Sequence, residues 1–269
     1  MNTKIAFVAF IVLINFMLVN YSLAALDSEA ILNGMKEKYA DFYKEVQDIT
    51  IVQEIEASSP GQDGNMSSEV TMFQKGDKVR MDTKMQMPED AKMPQGMQQV
   101  ESTMIYDGET AWMIMPFMGK VKLPETEAFK HQASVNWWDK VLGNADVVGE
   151  EVIDGIGCYI LKVRNRKTPP FFNRIWISKK DFISVKAEMA GPNGTKNKMV
   201  FSDFRELGSN WKFPYRTETY VNDKLISKVT IRSVRINTGL ADSIFNADAI
   251  AADTSDFGDL MQNVMNKKQ

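Results

Sequence analysis

The chain has 269 residues, with 32 basic against 35 acidic side chains and a net charge of −3. This mild, mixed balance excludes the concentrated basic face that a nucleic-acid binder needs. One histidine and one cysteine exclude a structural zinc site of four N/S ligands and any intrachain disulfide.

The first element is a targeting segment. Met1 to Lys4 carries one positive charge, Ile5 to Val19 is apolar except for Asn15, and Tyr21-Ser22-Leu23-Ala24-Ala25 supplies small residues for cleavage after Ala24. This order predicts a secretory signal over residues 1–24. The run is short for a membrane anchor, which needs about 20 apolar residues. No cysteine follows it for lipid attachment, and no second span is expected. Cleavage removes one lysine and no acid, leaving 245 residues with 31 basic and 35 acidic side chains, a balance of −4. An exported chain without disulfides points to a bacterial envelope, and the expected location is the periplasm. Domain limits are expected at 1–24, 25–248 and 249–269, the last a tail that is either helical or disordered.

Asp27 or Ser28 can cap a helix, and Ile31, Met35, Tyr39 and Phe42 recur at helical spacing. The pattern predicts one amphipathic helix over 28–44. The period then changes to two. Ile49, Ile51 and Ile55 share a face, as do Val79, Met81, Met85 and Met87, and Trp211, Phe213, Tyr215 and Val221. Turn signals punctuate these runs at Gly76-Asp77, Asp107-Gly108, Asp154-Gly155, Gly191 to Gly194, Gly208 to Asn210 and Asn222-Asp223. About ten or eleven antiparallel strands follow from the spacing, so the fold class is mainly β with some helix (α+β). Residues 88–99 read as a loop rich in Met, Pro and Gln, and 125–142 as short helices. In the last long strand the apolar phase slips between Ile231 and Val234, which predicts a bulge. Pro214 predicts an edge or bulged position for its strand.

Little points to catalysis. His131 lies in a polar stretch, and there is no Gly-x-Ser-x-Gly elbow or phosphate-cradling glycine loop. Asp107, Glu109, Glu150, Glu151 and Asp154 are candidates for a carboxylate pair, each with a simpler place in a turn or on a solvated strand. Cys158 reads as a buried, inert thiol. The expectation is a non-enzyme without cofactor or metal. Methionine is the outlier: eleven of 18 fall between Met66 and Met118. Unbranched, polarizable side chains conform to irregular apolar ligands, although core filling also accounts for any one of them.

Several motifs in order resemble a known family. They are Met104 to Trp112 around the Asp107-Gly108 turn, Arg174 to Ser178, Lys186-Ala187-Glu188, Phe201 to Phe204, Trp211 to Arg216, and Ile236 to Phe245. Over about residues 28–248 the chain resembles the outer-membrane lipoprotein-sorting proteins, the LolA/LolB-like superfamily. The resemblance implies an incomplete antiparallel β-barrel, with helices over its concave face and an apolar cavity between. It implies a periplasmic carrier that shields the acyl chains of lipoproteins or lipids on the way to the outer membrane, between an inner-membrane transporter and an outer-membrane acceptor. An envelope sensor or adaptor with the same fold is the alternative. Arg80 lies near the family's gate arginine but out of register. The expected cavity lining is Met81, Met85, Trp112, Met113, Met115, Phe117, Trp137 and Trp138, with Val135 to Leu142 and the N-terminal helix as lid. Trp112 and Met113 belong to opposite strand faces, and the sequence does not choose between them.

Overall fold

The computed structural model describes residues 27–58, 65–86, 99–115, 119–124, 141–164, 172–191, 194–208 and 211–250. The expected signal segment, the 88–98 part of the expected Met-rich loop, the stretch 125–140 where short helices are expected, and the tail beyond 250 lie outside the described residues. None of the described helices is long and apolar enough to cross a membrane.

One helix, α1 (Ser28–Glu45), opens the described chain. Asp27 caps it, accepting from the Ala30 N–H at 2.7 Å and so satisfying one orphan donor of the first turn. Ser28 instead donates its hydroxyl to the Ala145 carbonyl at 2.6 Å, pinning the helix start to the sheet. Thirteen strands follow: β1 (Asp48–Ser58), β2 (Asn65–Lys75), β3 (Lys78–Gln86), β4 (Gln99–Tyr106), β5 (Ala111–Met115), β6 (Gly119–Lys122), β7 (Ala145–Ile153), β8 (Ile156–Val163), β9 (Phe172–Ser178), β10 (Ser184–Ala190), β11 (Lys196–Leu207), β12 (Trp211–Val221) and β13 (Lys224–Ile236). Among the described residues the count exceeds the ten or eleven expected from sequence. They form one antiparallel sheet in the order β6-β5-β4-β3-β2-β1-β13-β12-β11-β10-β9-β8-β7. Among the described residues β6 and β7 are its two edges, and it is not closed into a barrel. The hairpin turns at Asp154-Gly155 and Asn222-Asp223 have positive φ at both residues, the backbone that matches strand twist in two-residue hairpins.

The phase slip in β13 is a bulge. Val52 faces Ser233 and Gln53 faces Ile231, which leaves Arg232 as the extra residue, and its guanidinium pairs with Glu54. Pro214 differs from expectation. Its strand β12 is interior, yet pairing with β13 begins only at Arg216, while Pro214 faces Phe204 of β11. The missing N–H therefore falls where β12 is paired on one side only.

The helix packs on one side of the sheet, called the inner face. Ile31, Leu32 and Met35 are wholly buried against Val141, Ala145, Leu161, Val163, Ile175 and Ile177. Gly34 is required there, since a Cβ would stand 2.8 Å from the Phe182 ring. Further along, Tyr39, Phe42 and Val46 pack with Ile49, Ile51, Ile183, Leu207 and Trp211. On the outer face the chain end returns through two short 3-10 turns, Asp242–Phe245 and Ala247–Ala249. Ala247 and Ile250 cover Ile105, Ile114 and Trp112.

Candidate functional site

A cavity of about 570 Å³ lies between the C-terminal half of α1 and the inner face of the sheet. Its roof is Tyr39, Phe42 and Val46; its walls are Ile49, Ile51, Met72, Trp211, Phe213 and Pro214. These come together for simple reasons. Tyr39 and Phe42 recur at helical spacing on one side of α1, and Val46 caps its C-terminus. Ile51 faces Met72 and Ile49 faces Gln74 across β1 and β2, so all four point the same way. The Trp211 ring packs on Tyr39 at 4.2 Å and on Phe42 at 5.5 Å between centroids. A second lobe of about 190 Å³ shares Tyr39, Trp211 and Pro214 and extends under Phe201 and Ala187.

Polar groups gather at one rim, where α1 hands over to β1. Gln47 donates its N–H to Asn237 Oδ1 at 2.8 Å, and Asn237 Nδ2 donates to the Glu45 carbonyl at 2.8 Å. Asp48 is buried. Its carboxylate accepts from Thr238 N at 2.9 Å, Thr238 Oγ1 at 3.0 Å, Gly239 N at 2.8 Å and Leu240 N at 3.2 Å. Burial pushes this carboxyl up, but the four hydrogen bonds outweigh burial and hold it below the ordinary 3.8.

Register assigns the faces beyond the cavity. Met72 faces Met81, Met81 faces Met104, and Met104 faces Met113 across β2 to β5 without a shift. Met85 lies on the Met81 side of β3 and Met115 on the Met113 side of β5. The four expected lining residues Met81, Met85, Met113 and Met115 thus share the inner face with Ile51 and Met72, beside the cavity rather than around it. Every inner-facing position of β1 to β6 in this register is uncharged, whereas the outer positions carry Glu54, Glu69, Arg80, Lys84 and Lys122. Trp112 is on the outer face, opposite Met113 on its strand. It sits near the ammonium groups of Lys120 and Lys122, 5.5 and 6.0 Å from its ring centre. Trp112 therefore points away from the face that borders this cavity, since adjacent strand residues point to opposite faces. Phe117, Trp137 and Trp138 lie outside the described residues. Arg80 is also an outer residue, bonded to Asp82 at 2.9 Å and to the Ile244 carbonyl at 3.3 Å.

The cavity aromatics were missed as site residues. Their period was visible, but the cavity depends on α1 crossing β1 and β12, a non-local fact.

Three of the five candidate carboxylates have structural partners. Asp107 accepts from the Glu109 and Thr110 amides at 2.9 and 2.7 Å, and Glu151 accepts from Trp176 Nε1 at 2.5 Å. Glu150 pairs with Lys179 at 2.5 Å, and Asp154 occupies the first hairpin position. Among the described residues no three or more His, Cys, Asp or Glu converge to hold a metal. Cys158 is wholly buried. Burial first, then the nearby Glu151 charge, pushes its thiol up to about 11.

A protein-family profile described as "Uncharacterized protein" matches residues 139–252. No curated protein matches the sequence. Solved structures do match by fold. A DUF1329 family protein from Desulfovibrio piger is 15% identical, with TM-score 0.56 over 82% of this chain and 98% of that one. A LolA superfamily protein from Nitrosomonas europaea is 14% identical, with TM-score 0.53 over 84% and 100%. A putative outer membrane lipoprotein-sorting protein domain from Vibrio parahaemolyticus is 12% identical, with TM-score 0.51 over 81% and 96%. An unclosed antiparallel sheet, a helix across its inner face and an apolar cavity between them give this chain the fold of the LolA-like lipoprotein-sorting proteins.

Proposed function

We propose that the protein is a periplasmic carrier, exported by the segment 1–24, that shields the acyl chains of lipids or lipoproteins during transfer towards the outer membrane. One observation carries this reading: the aromatic-roofed cavity of about 570 Å³ adjoins an uncharged, methionine-rich sheet face. Burying acyl chains contributes about 0.8 kcal/mol per CH₂, so a carrier needs a long apolar surface more than it needs specific polar contacts. In this reading the cargo enters beneath Tyr39, Phe42 and Trp211 and extends along Met72, Met81 and Met85. The protein binds rather than catalyses, and it receives cargo from an inner-membrane transporter and passes it to an outer-membrane acceptor.

The test is direct. Mature protein, residues 25–269, is purified from the envelope, its bound lipids are extracted and identified by mass spectrometry, and uptake of a fluorescent fatty acid is titrated. Co-purified acyl lipid and saturable uptake competed by unlabelled fatty acid are expected. An empty extract together with no uptake sinks the reading.

A further inference from the structure

The methionine row has a second chemical character. Met72, Met81, Met104 and Met113 stand directly opposite one another on four consecutive strands. Neighbouring strands are about 4.8 Å apart. Each sulfur sits on an unbranched arm with freely rotating bonds, so thioethers on adjacent strands can reach a common point. All four side chains are half-buried, open to a small solute yet shielded from bulk water. Apolarity alone does not account for sulfur here, since β-branched and aromatic residues are the preferred strand residues.

The surroundings narrow the ligand. The inner-facing neighbours along these strands are Val70, Thr83 and Ser102 on one side and Gln74, Val79 and Tyr106 on the other. None is a carboxylate, imidazole or thiol. Hard cations such as Mg²⁺ and Ca²⁺ require oxygen ligands, often charged. A divalent ion among neutral thioethers would also lose hydration with no negative charge to offset it. Soft thioether ligands select Cu(I), and Ag(I) shares its charge and softness.

We propose that this row is a binding site for a soft monovalent cation, Cu(I) or Ag(I). Met72, Met81 and Met104 supply the central thioethers and Met113 an alternative end ligand. The site does not rest on the acyl-carrier reading, although it touches the same cavity through Met72.

The test is an anaerobic Cu(I) titration of the mature chain against a chromogenic Cu(I) chelator. One equivalent is expected to leave the chelator, and X-ray absorption of the loaded protein should give a sulfur-only first shell. Met81→Leu and Met104→Leu conserve volume, and each should weaken binding at least tenfold with circular dichroism unchanged. Met189→Leu, on β10, and a triple Leu variant at Met87, Met93 and Met97 should bind as the parent does. Failure to withdraw Cu(I), a nitrogen or oxygen shell, Zn²⁺ binding of equal strength, or loss in the triple variant but not in Met81→Leu would each overturn the proposal. Fatty-acid uptake, measured separately, leaves this result unaffected.

Discussion

Asp48→Asn should loosen the joint where α1, β1 and the 238–240 turn meet. The substitution keeps volume and one oxygen but replaces the other with an NH₂ donor. In the parent, one carboxylate oxygen takes Thr238 N and Oγ1, and the other takes Gly239 N and Leu240 N. With the NH₂ towards Gly239 and Leu240, two N–H donors lose their acceptor; with it towards Thr238, the N–H loses its acceptor while the hydroxyl can turn and accept. A fully buried orphan costs about 1–3 kcal/mol, and water reaches these part-buried donors, so a loss of about 2 kcal/mol is expected, or about 4–8 °C in Tm for a chain of this size. The pH dependence has a fixed sign. The folded carboxyl sits below 3.8, so its stabilisation is fully present above the unfolded value of about 3.9. It is lost as pH falls through the folded value. Urea unfolding from pH 7 to pH 3 should give a steep acid loss for the parent and a shallower one for the variant, the two curves converging at low pH. A variant within 1 kcal/mol of the parent at pH 7, or parallel acid limbs, would mean that the Asp48 carboxylate does not hold this joint.

Three further outcomes are expected. Met72→Glu puts a charge on the uncharged inner face at the cavity wall and should weaken fluorescent fatty-acid binding at least tenfold, with near-native thermal stability because the side chain is only half-buried; unchanged affinity would remove the cavity from the binding path. Cys158, wholly buried with its thiol pushed up to about 11, should resist an aromatic disulfide reagent at pH 8 in the native protein and react promptly in denaturant; fast native labelling would contradict its burial. Phe245→Ala, which empties a fully buried position on the outer face beside β3, should cost about 3–5 kcal/mol in urea unfolding, and a loss under 1 kcal/mol would mean the chain end is not part of the core.

Local signals in the sequence were reliable where local physics decides. The helix starts at Asp27 because a capping carboxylate precedes a 3.6-residue apolar period, and the Arg232 bulge is already written in the phase slip from Ile231 to Val234. Strand β6 was illegible: four residues, with only Val121 and Gly119 facing inward, give no period-two signal. Pro214 misled because the rule about proline concerns a missing hydrogen bond, not a place in the sheet. An interior strand that has parted from one neighbour satisfies it as well as an edge does. The methionine face was legible as a cluster, and alternation separated Met113 from Trp112 without choosing between them. Only the strand order, which seats β1 between β2 and β13, joins that face to the cavity.

The helix does not hold the inner face evenly, and the difference bears on how a ligand enters. Ile31, Leu32 and Met35 are wholly buried, and separating them from the sheet would cost about 1.5–3 kcal/mol each. The other half of α1 and its C-cap Val46 roof a cavity, so Tyr39, Phe42 and Val46 meet partly filled space. Its end is tied by the Asn237 pair of hydrogen bonds, each contributing about 0.5–1.5 kcal/mol. Lifting the C-terminal half therefore opposes these two ties, roughly 1–3 kcal/mol, together with the Trp211 ring contacts and the other partners of Tyr39 and Glu45, while freeing the N-terminal half opposes about 5–9 kcal/mol of aliphatic burial. Motion should concentrate at the end over Trp211, with Ser28 and Asp27 as the fixed point. Hydrogen exchange is the observable: amides of Tyr39 to Glu45 should exchange orders of magnitude faster than those of Ile31 to Met35, and acyl ligand should slow the first group alone. Uniform protection along α1 would mean the helix opens as a unit or not at all.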